Sequence, residues 1–158
     1  MIIKGLIDED FVNYKIPCMT IEFPRCSFKC DKECGKQVCQ NGRLATAPEI
    51  NIDENVLIER YINNPITKAI VCQGLEPLDS FEDVLTLLDL LRHQYGCDDD
   101  FVIYTGYNKD EIKISIQRLK LFNNVVIKYG RYVPDQSSHY DEVVGVNLAS
   151  DNQYAERL

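Results

Sequence analysis

The sequence predicts an α/β fold organised on a parallel sheet, and two observations carry that reading. Short apolar runs rich in β-forming residues recur at Cys18–Phe23 (CMTIEF), Lys68–Cys72, Phe101–Tyr104 (FVIY) and Asn124–Lys128 (NVVIK). Between them stand segments whose apolar residues repeat at helical spacing. Strands alternating with helices need crossover connections, which make consecutive strands parallel and are right-handed. A length of 158 residues fits one domain, residues 1–158, able to bury most of its apolar surface without staples.

The elements follow in order. Ile2–Ile7 is a candidate short strand and Asp8–Asp10 an acidic turn. Cys18–Phe23 alternates and is ended by Pro24, which makes it the first core strand. A cysteine-rich loop then runs to about Pro48, and a long irregular loop in a small domain is functional or organised by a metal. Asp53 is placed to cap a helix reaching about Arg60, with Val56, Leu57, Ile58 and Tyr61 as its apolar positions. Asn63-Asn64-Pro65 stops it. The continuous run AIVC, ending at Cys72, reads as a strand buried on both faces. Ser80, with Asp83 three residues on, caps a helix carrying Phe81, Val84, Leu85, Leu88 and Leu91. FVIY is a further buried strand. Asn108 and Glu111 form a capping-box pattern for a helix carrying Ile112, Ile116 and Leu119. NVVIK is the next strand and Val143–Leu148 a last, weaker one.

Composition narrows the function classes. A net charge of −8 argues against a nucleic-acid partner, because phosphate contacts need a basic face. The N-terminus MIIKGLIDED carries acidic residues where a signal peptide needs an unbroken apolar run, and no segment approaches a membrane span. Seven cysteines without a secretory signal point to a reducing cytoplasm, where clustered thiols bind metal or do redox chemistry.

Four of those cysteines, Cys26, Cys30, Cys34 and Cys39, fall in one stretch at spacings C-x3-C-x3-C-x4-C. Thiolates this close repel and oxidise unless a soft cation holds them, and zinc and an iron–sulfur cluster are the usual holders. The spacing alone leaves both open. Cys18, Cys72 and Cys97 lie in or beside apolar runs and read as core residues. His93 reads as a solvated or half-buried helix residue, His139 as a polar loop residue, and Asp98–Asp100 as a solvated turn. The cysteine loop, the turn at Gly74 and the turn Thr105-Gly106 each follow the carboxyl end of a strand. Ligands of parallel sheets bind there, so the three loops are expected to converge on one rim.

Those three loops carry a resemblance. A cysteine loop after the first strand, Gly74-Leu75-Glu76-Pro77 after the second and Thr105-Gly106 after the third are similar to the motifs of radical S-adenosylmethionine (SAM) enzymes. Within that superfamily the chain most resembles the activating proteins of anaerobic ribonucleoside-triphosphate reductase. The further shared stretches are Asp10–Tyr14, Tyr104–Tyr107, Gly130-Arg131-Tyr132 and the tail Ser150-Asp151-Asn152-Gln153. Two departures stand out. The family spaces its cluster ligands C-x3-C-x2-C, whereas here position 33 is Glu33; Cys39-Gln40-Asn41 resembles the family's closing Cys-Tyr-Asn, so Cys39 is taken as third ligand with Cys34 the alternative. Leu75 replaces a glycine, adding bulk where that family's backbone approaches its ligand.

The resemblance implies a partial, open parallel β/α barrel of about five to six strands with the cluster loop after the first core strand. It implies a [4Fe–4S] cluster on Cys26, Cys30 and Cys39, with SAM on the remaining iron. Gly74, Leu75, Glu76 and Pro77 would meet the methionine end, Thr105 and Gly106 the ribose and methionyl part, and Asn152 and Gln153 the adenosine. A low-potential electron donor would reduce the cluster, and the 5′-deoxyadenosyl radical released from SAM would abstract a glycine hydrogen of the reductase large subunit, leaving a glycyl radical. A short chain leaves one side of such a site open, which suits a protein substrate. Another small radical SAM enzyme acting on a small molecule, and a zinc-binding interaction module without catalysis, are the other two readings.

Overall fold

A strand that is apolar on both faces must be covered on both, and the four such runs lie side by side in the middle of one sheet. The computed structural model describes residues 1–158. Its strands are β1 (Ile2–Ile3), β2 (Gly5–Asp10), β3 (Cys18–Phe23), β4 (Ile50–Asn51), β5 (Ala69–Gly74), β6 (Asp100–Tyr104), β7 (Val125–Tyr129), β8 (His139–Asp141), β9 (Val146–Leu148) and β10 (Tyr154–Arg157). Its α-helices are α1 (Lys29–Cys34), α2 (Glu54–Ile62), α3 (Phe81–Asp89) and α4 (Lys113–Leu119). The main sheet has six strands in the order β10-β7-β6-β5-β3-β2. The central four are parallel, in registers such as Ile21↔Cys72 and Cys72↔Ile103, and the two edge strands run antiparallel to their neighbours. No barrel is closed.

Alternation along the central strands sorts the two faces. Ile21, Phe23, Ile70, Cys72, Phe101, Ile103, Val125 and Ile127 pack with Leu57, Tyr61, Leu87, Leu88 and Leu119 from the helices. On the opposite face the residues are smaller: Ala69, Val71, Val102 and Val126 meet Tyr14, Val144 and Leu148. That face is covered by the segment before β3 and by the β8–β9 hairpin. The next positions on it beyond Val102 and Val126 are Tyr104 and Lys128, and there the packing opens into a cavity.

The elements depart from the sequence reading in several places. Asp8–Asp10 belongs to β2, and Asp10 ends it by accepting from Val12 N–H (2.8 Å) and Thr20 Oγ1 (2.6 Å). Val56 faces solvent, whereas Leu57, Ile58 and Tyr61 are buried. Ser80 makes no capping bond; α3 is led in by a 3-10 turn, Pro77–Ser80, whose cap is the Glu76 side chain accepting from Leu78 N–H (3.1 Å). Cys97 is only half-buried, unlike Cys18 and Cys72. His139 lies in β8, not a loop, and of Val143–Leu148 only Val146–Leu148 is strand. Asp100 opens β6, where it accepts from Tyr14 Oη (2.8 Å) and the Arg157 guanidinium, so the acidic run is not a free turn. Strand β10 was not foreseen: its sequence YAER is half polar because it lies at the sheet edge. No helix is long and apolar enough to cross a membrane.

Candidate metal centre

The turn after β5 holds the rim together. Gly74 has φ +97° and packs so closely on β3 that an added Cβ would lie 2.8 Å from the Glu22 Cα. Only glycine fits there. Leu75 does not share the left-handed conformation, so the leucine departure costs no backbone strain. Glu76 N–H donates to Arg25 C=O (2.7 Å) and Leu75 N–H to Phe23 C=O (3.3 Å), which seats the turn against the start of the cysteine loop.

Two carboxylates of this turn then reach both neighbouring loops. Glu76 is 4% exposed; its Oε1 accepts from Thr105 Oγ1 (2.8 Å) and its Oε2 from Gly106 N–H (2.8 Å). Burial pushes its carboxyl up to about 7, opposed by those hydrogen bonds. Asp79 accepts from Ser27 N–H (2.8 Å) and Tyr107 Oη (2.6 Å), joining the cysteine loop to the turn after β6. Sequence reasoning gave Glu76 a ligand-facing role; the geometry commits three of its lone pairs to the protein itself. It missed Asp79, whose place three residues after Glu76 on a 3-10 turn is the signal that it shares a face with it.

The cysteine loop has no buried side chain and is held chiefly by polar contacts. Phe28, with φ 51°, enters α1 in a left-handed conformation unusual for a bulky residue. No residue of α1 is buried. Cys26 Sγ accepts from Phe28 N–H (3.2 Å). From α1, Lys29 Nζ reaches Glu111 Oε1 (3.0 Å) and Glu33 reaches the Arg131 guanidinium (3.3 Å). Arg131 is itself buried and paired with Glu111 (2.6 Å), which pulls the Glu111 carboxyl down to about 2. After the loop, Asn41 Nδ2 donates to Gly74 C=O (2.9 Å).

These contacts enclose a cavity of about 860 Å³, within the range of small-molecule sites. Cys26, Cys30 and Cys39 line it; Cys34 does not. Gly74, Leu75, Glu76, Thr105 and Gly106 line it as well. Pro77 lies outside the lining and serves to open the 3-10 turn. Asn152 is also outside: its amide is bound to Arg131 C=O (2.8 Å), a backbone role, and it is Gln153 that reaches the wall. Lys128 is a wall residue that the sequence gave no reason to single out. It is 7% exposed, and its Nζ has one partner, Gly130 C=O at 3.0 Å. Burial pulls its ammonium down to about 8.

The donor set suits a soft metal. Burial pushes the Cys26 thiol up to about 11 and the Cys30 thiol up to about 12, with the neighbouring Cys39 adding to the second. Such thiols stay protonated until a cation replaces the protons. The three share a wall without forming a finished ligand group: no three His, Cys, Asp or Glu side chains stand together as a ready metal site. The fit therefore rests on three soft donors facing one cavity from a loop with no core contacts to hold it rigid.

Comparison with known proteins supplies the cofactor. No curated protein and no solved structure matches the chain. A family model described as a 4Fe-4S single cluster domain matches residues 18–153, from the first residue of β3 to the Gln153 of the cavity wall. That match resolves the choice between zinc and iron–sulfur that the cysteine spacing left open, and the chain belongs to the 4Fe-4S single cluster domain family.

Proposed function

We propose that the chain is a radical SAM enzyme of the cytoplasm, the activating protein of an anaerobic ribonucleotide reductase, with its sheet read as an open, partial β/α barrel. The observation that carries this reading is that three thiols, the Gly74–Glu76 turn, the Thr105-Gly106 turn and a buried lysine all face one cavity. When bound, the cluster and SAM would supply one-electron cleavage of the sulfonium and a 5′-deoxyadenosyl radical.

The chain's own residues would do the rest. Cys26, Cys30 and Cys39 would hold three irons, leaving a coordination position free for a ligand. Lys128, a buried cation with donors to spare, suits the carboxylate of an amino-acid ligand. Glu76 would act through the Thr105-Gly106 turn it fixes and keep one lone pair for an ammonium group. The end of the small-residue face, where Tyr104 and Lys128 follow Val102 and Val126, would form the lumen. Phe11, Val12 and Tyr140 line the mouth and are 64%, 76% and 56% exposed. An exposed apolar rim favours a polypeptide loop as substrate over a small molecule.

Anaerobic reconstitution with iron and sulfide, dithionite reduction and EPR with and without SAM tests the reading. A reduced [4Fe–4S] signal altered by SAM, with 5′-deoxyadenosine formed, supports radical chemistry. A glycyl-radical doublet on an added reductase large subunit supports the activating role. A cluster signal indifferent to SAM, with no deoxyadenosine, would sink the proposal.

A further inference from the structure

The cysteine spacing poses a problem that the fold has to solve. Residues 31–38 separate Cys30 from Cys39. A flexible segment of that length lets its ends wander, and closing it costs entropy. Cys34, the nearer thiol, should then win the third ligand position. Yet Cys39 lines the cavity beside Cys26 and Cys30, while Cys34 ends α1 outside it.

The closure comes from one carboxylate. Asp31 Oδ1 accepts from Val38 N–H (2.7 Å) and from Cys39 N–H (2.8 Å). Both bonds cross the neck of the loop, from the residue after Cys30 to Cys39 itself. Gly35, with φ 65°, turns the chain back after α1 without a Cβ in the way. The ion pairs of α1 are those of Lys29 and Glu33, and Asp31 has none; besides its two backbone bonds, its Oδ1 accepts a long contact from the Cys30 thiol (3.8 Å). On the far side the Asn41 bond to Gly74 C=O keeps the residues after Cys39 against the rim. Hydrogen bonds to an ionised acceptor are among the stronger ones available to a loop with no buried side chain.

We propose that Asp31 is a positioning residue that closes the loop 31–38 so that Cys39, and not Cys34, joins Cys26 and Cys30 in holding the iron–sulfur cluster. The closure is a property of the metal-free chain; its consequence for the cluster rests on the ligand set proposed above. Asp31 touches neither iron nor substrate. It makes an unusual spacing behave like a shorter one.

Two measurements on the 158-residue chain test it. In the first, the metal-free protein is mildly oxidised with diamide and its disulfides are mapped by peptide mass spectrometry. The wild-type chain should form Cys30–Cys39 over Cys30–Cys34. Asp31→Ala should lower that ratio by about tenfold or more, tenfold being the scale of losing even one of the two charge-assisted bonds. Asp31→Asn keeps an acceptor oxygen and should restore most of it. In the second, iron and sulfide are counted after anaerobic reconstitution. Cys34→Ser should load as the wild type does. Asp31→Ala should lose most of its iron, and whatever remains should vanish in Asp31→Ala/Cys34→Ser, because Cys34 then substitutes for the released Cys39.

An unchanged disulfide ratio in Asp31→Ala would overturn the closure. Full iron loading of Asp31→Ala/Cys34→Ser would overturn its role in ligand choice. A wild-type chain that takes up no iron would overturn the ligand assignment itself, and the disulfide ratio would still judge the closure on its own.

Discussion

The sheet core and the cysteine loop are neighbours held by opposite means. In β3, β5, β6 and β7 most side chains are buried, and each strand has a partner on both sides and packing on both faces. The cysteine loop buries nothing in its helix and is held by Asp31, Asp79, Lys29, Glu33 and the amide of Asn41. Apolar packing is non-directional and tolerates no gaps. Carboxylate-to-backbone bonds are directional, leave the chain able to give, and suit a segment that must close around a cofactor. A loop built this way separates function from stability. Substitutions in it should act on metal, and substitutions in the sheet on folding.

The largest effect should come from the thiols. Cys26→Ser or Cys30→Ser is expected to remove essentially all iron on reconstitution, counted chemically. The metal-free melting temperature should hardly move, since neither side chain is in the core. A large drop in melting temperature would break the separation.

The second effect lies in the sheet. Phe101, fully buried in β6, should cost about 3–5 kcal/mol as Phe101→Ala, read from urea unfolding of the metal-free chain. The residual folded protein should still carry its thiols on the same loop and bind iron. Loss of iron binding at concentrations where the variant is folded would show the two regions to be coupled.

What could be read in advance follows the same division. The central strands were legible because CMTIEF, AIVC, FVIY and NVVIK are continuous or alternating apolar runs, and such runs have few ways to hide from water. The antiparallel edges were less so. β10 carries Glu156 and Arg157 because one of its sides faces solvent, which erases the pattern. In the site, many of the residues that line the cavity were visible by type: thiols, the Gly74 turn and Thr105-Gly106. Their supports were not. Asp79 and Asp31 look like ordinary surface acids until the fold shows which N–H groups they face. Lys128 was hidden inside a strand that reads as apolar, and only alternation across the sheet turns it toward the cavity. Asn152 shows the converse: its position in a motif says nothing of its bond to Arg131 C=O, which keeps its amide on the backbone.

A third test sharpens the boundary between the two regions, where Glu76 stands. Glu76→Ala leaves the buried Thr105 hydroxyl and the Gly106 N–H without acceptors, at about 1–3 kcal/mol for each orphaned group. Removing a carboxyl whose burial is unfavourable offsets part of that, so a net loss of about 2 kcal/mol is expected. The pH dependence identifies the source. Its carboxyl titrates at about 7 in the folded chain, above the ordinary 4.5. The native state therefore holds this proton more tightly, and its contribution is fully present below 4.5 and lost as pH rises through 7. Wild-type stability should fall over that interval relative to Glu76→Ala. A difference between the two chains that does not change between pH 4.5 and pH 7 would show the carboxyl to be solvated.

The smallest effect falls on the ionic clamp that holds α1. Glu111 joins Lys29 of α1 to the buried Arg131, and Arg131 holds its carboxyl near 2, well under the ordinary 4.5. Here the sign is reversed from Glu76. A carboxyl whose folded value is depressed contributes stability above its unfolded value and loses it as pH falls from 4.5 toward 2. Glu111 is partly exposed, so solvent screens the pair and its worth is about 1 kcal/mol or less. That corresponds to about 2–4 °C in melting temperature for a chain of this size. Glu111→Gln should show that difference at pH 7 and none near pH 2, the two chains converging as acid protonates the wild-type carboxyl. The same variant should leave Arg131 without its main partner and loosen α1, so limited proteolysis of the metal-free chain should cut sooner after Lys29 and Lys32. If cutting speeds up there while the melting temperature stays within those few degrees, the clamp acts on the loop and not on the fold, as the division between the two regions requires.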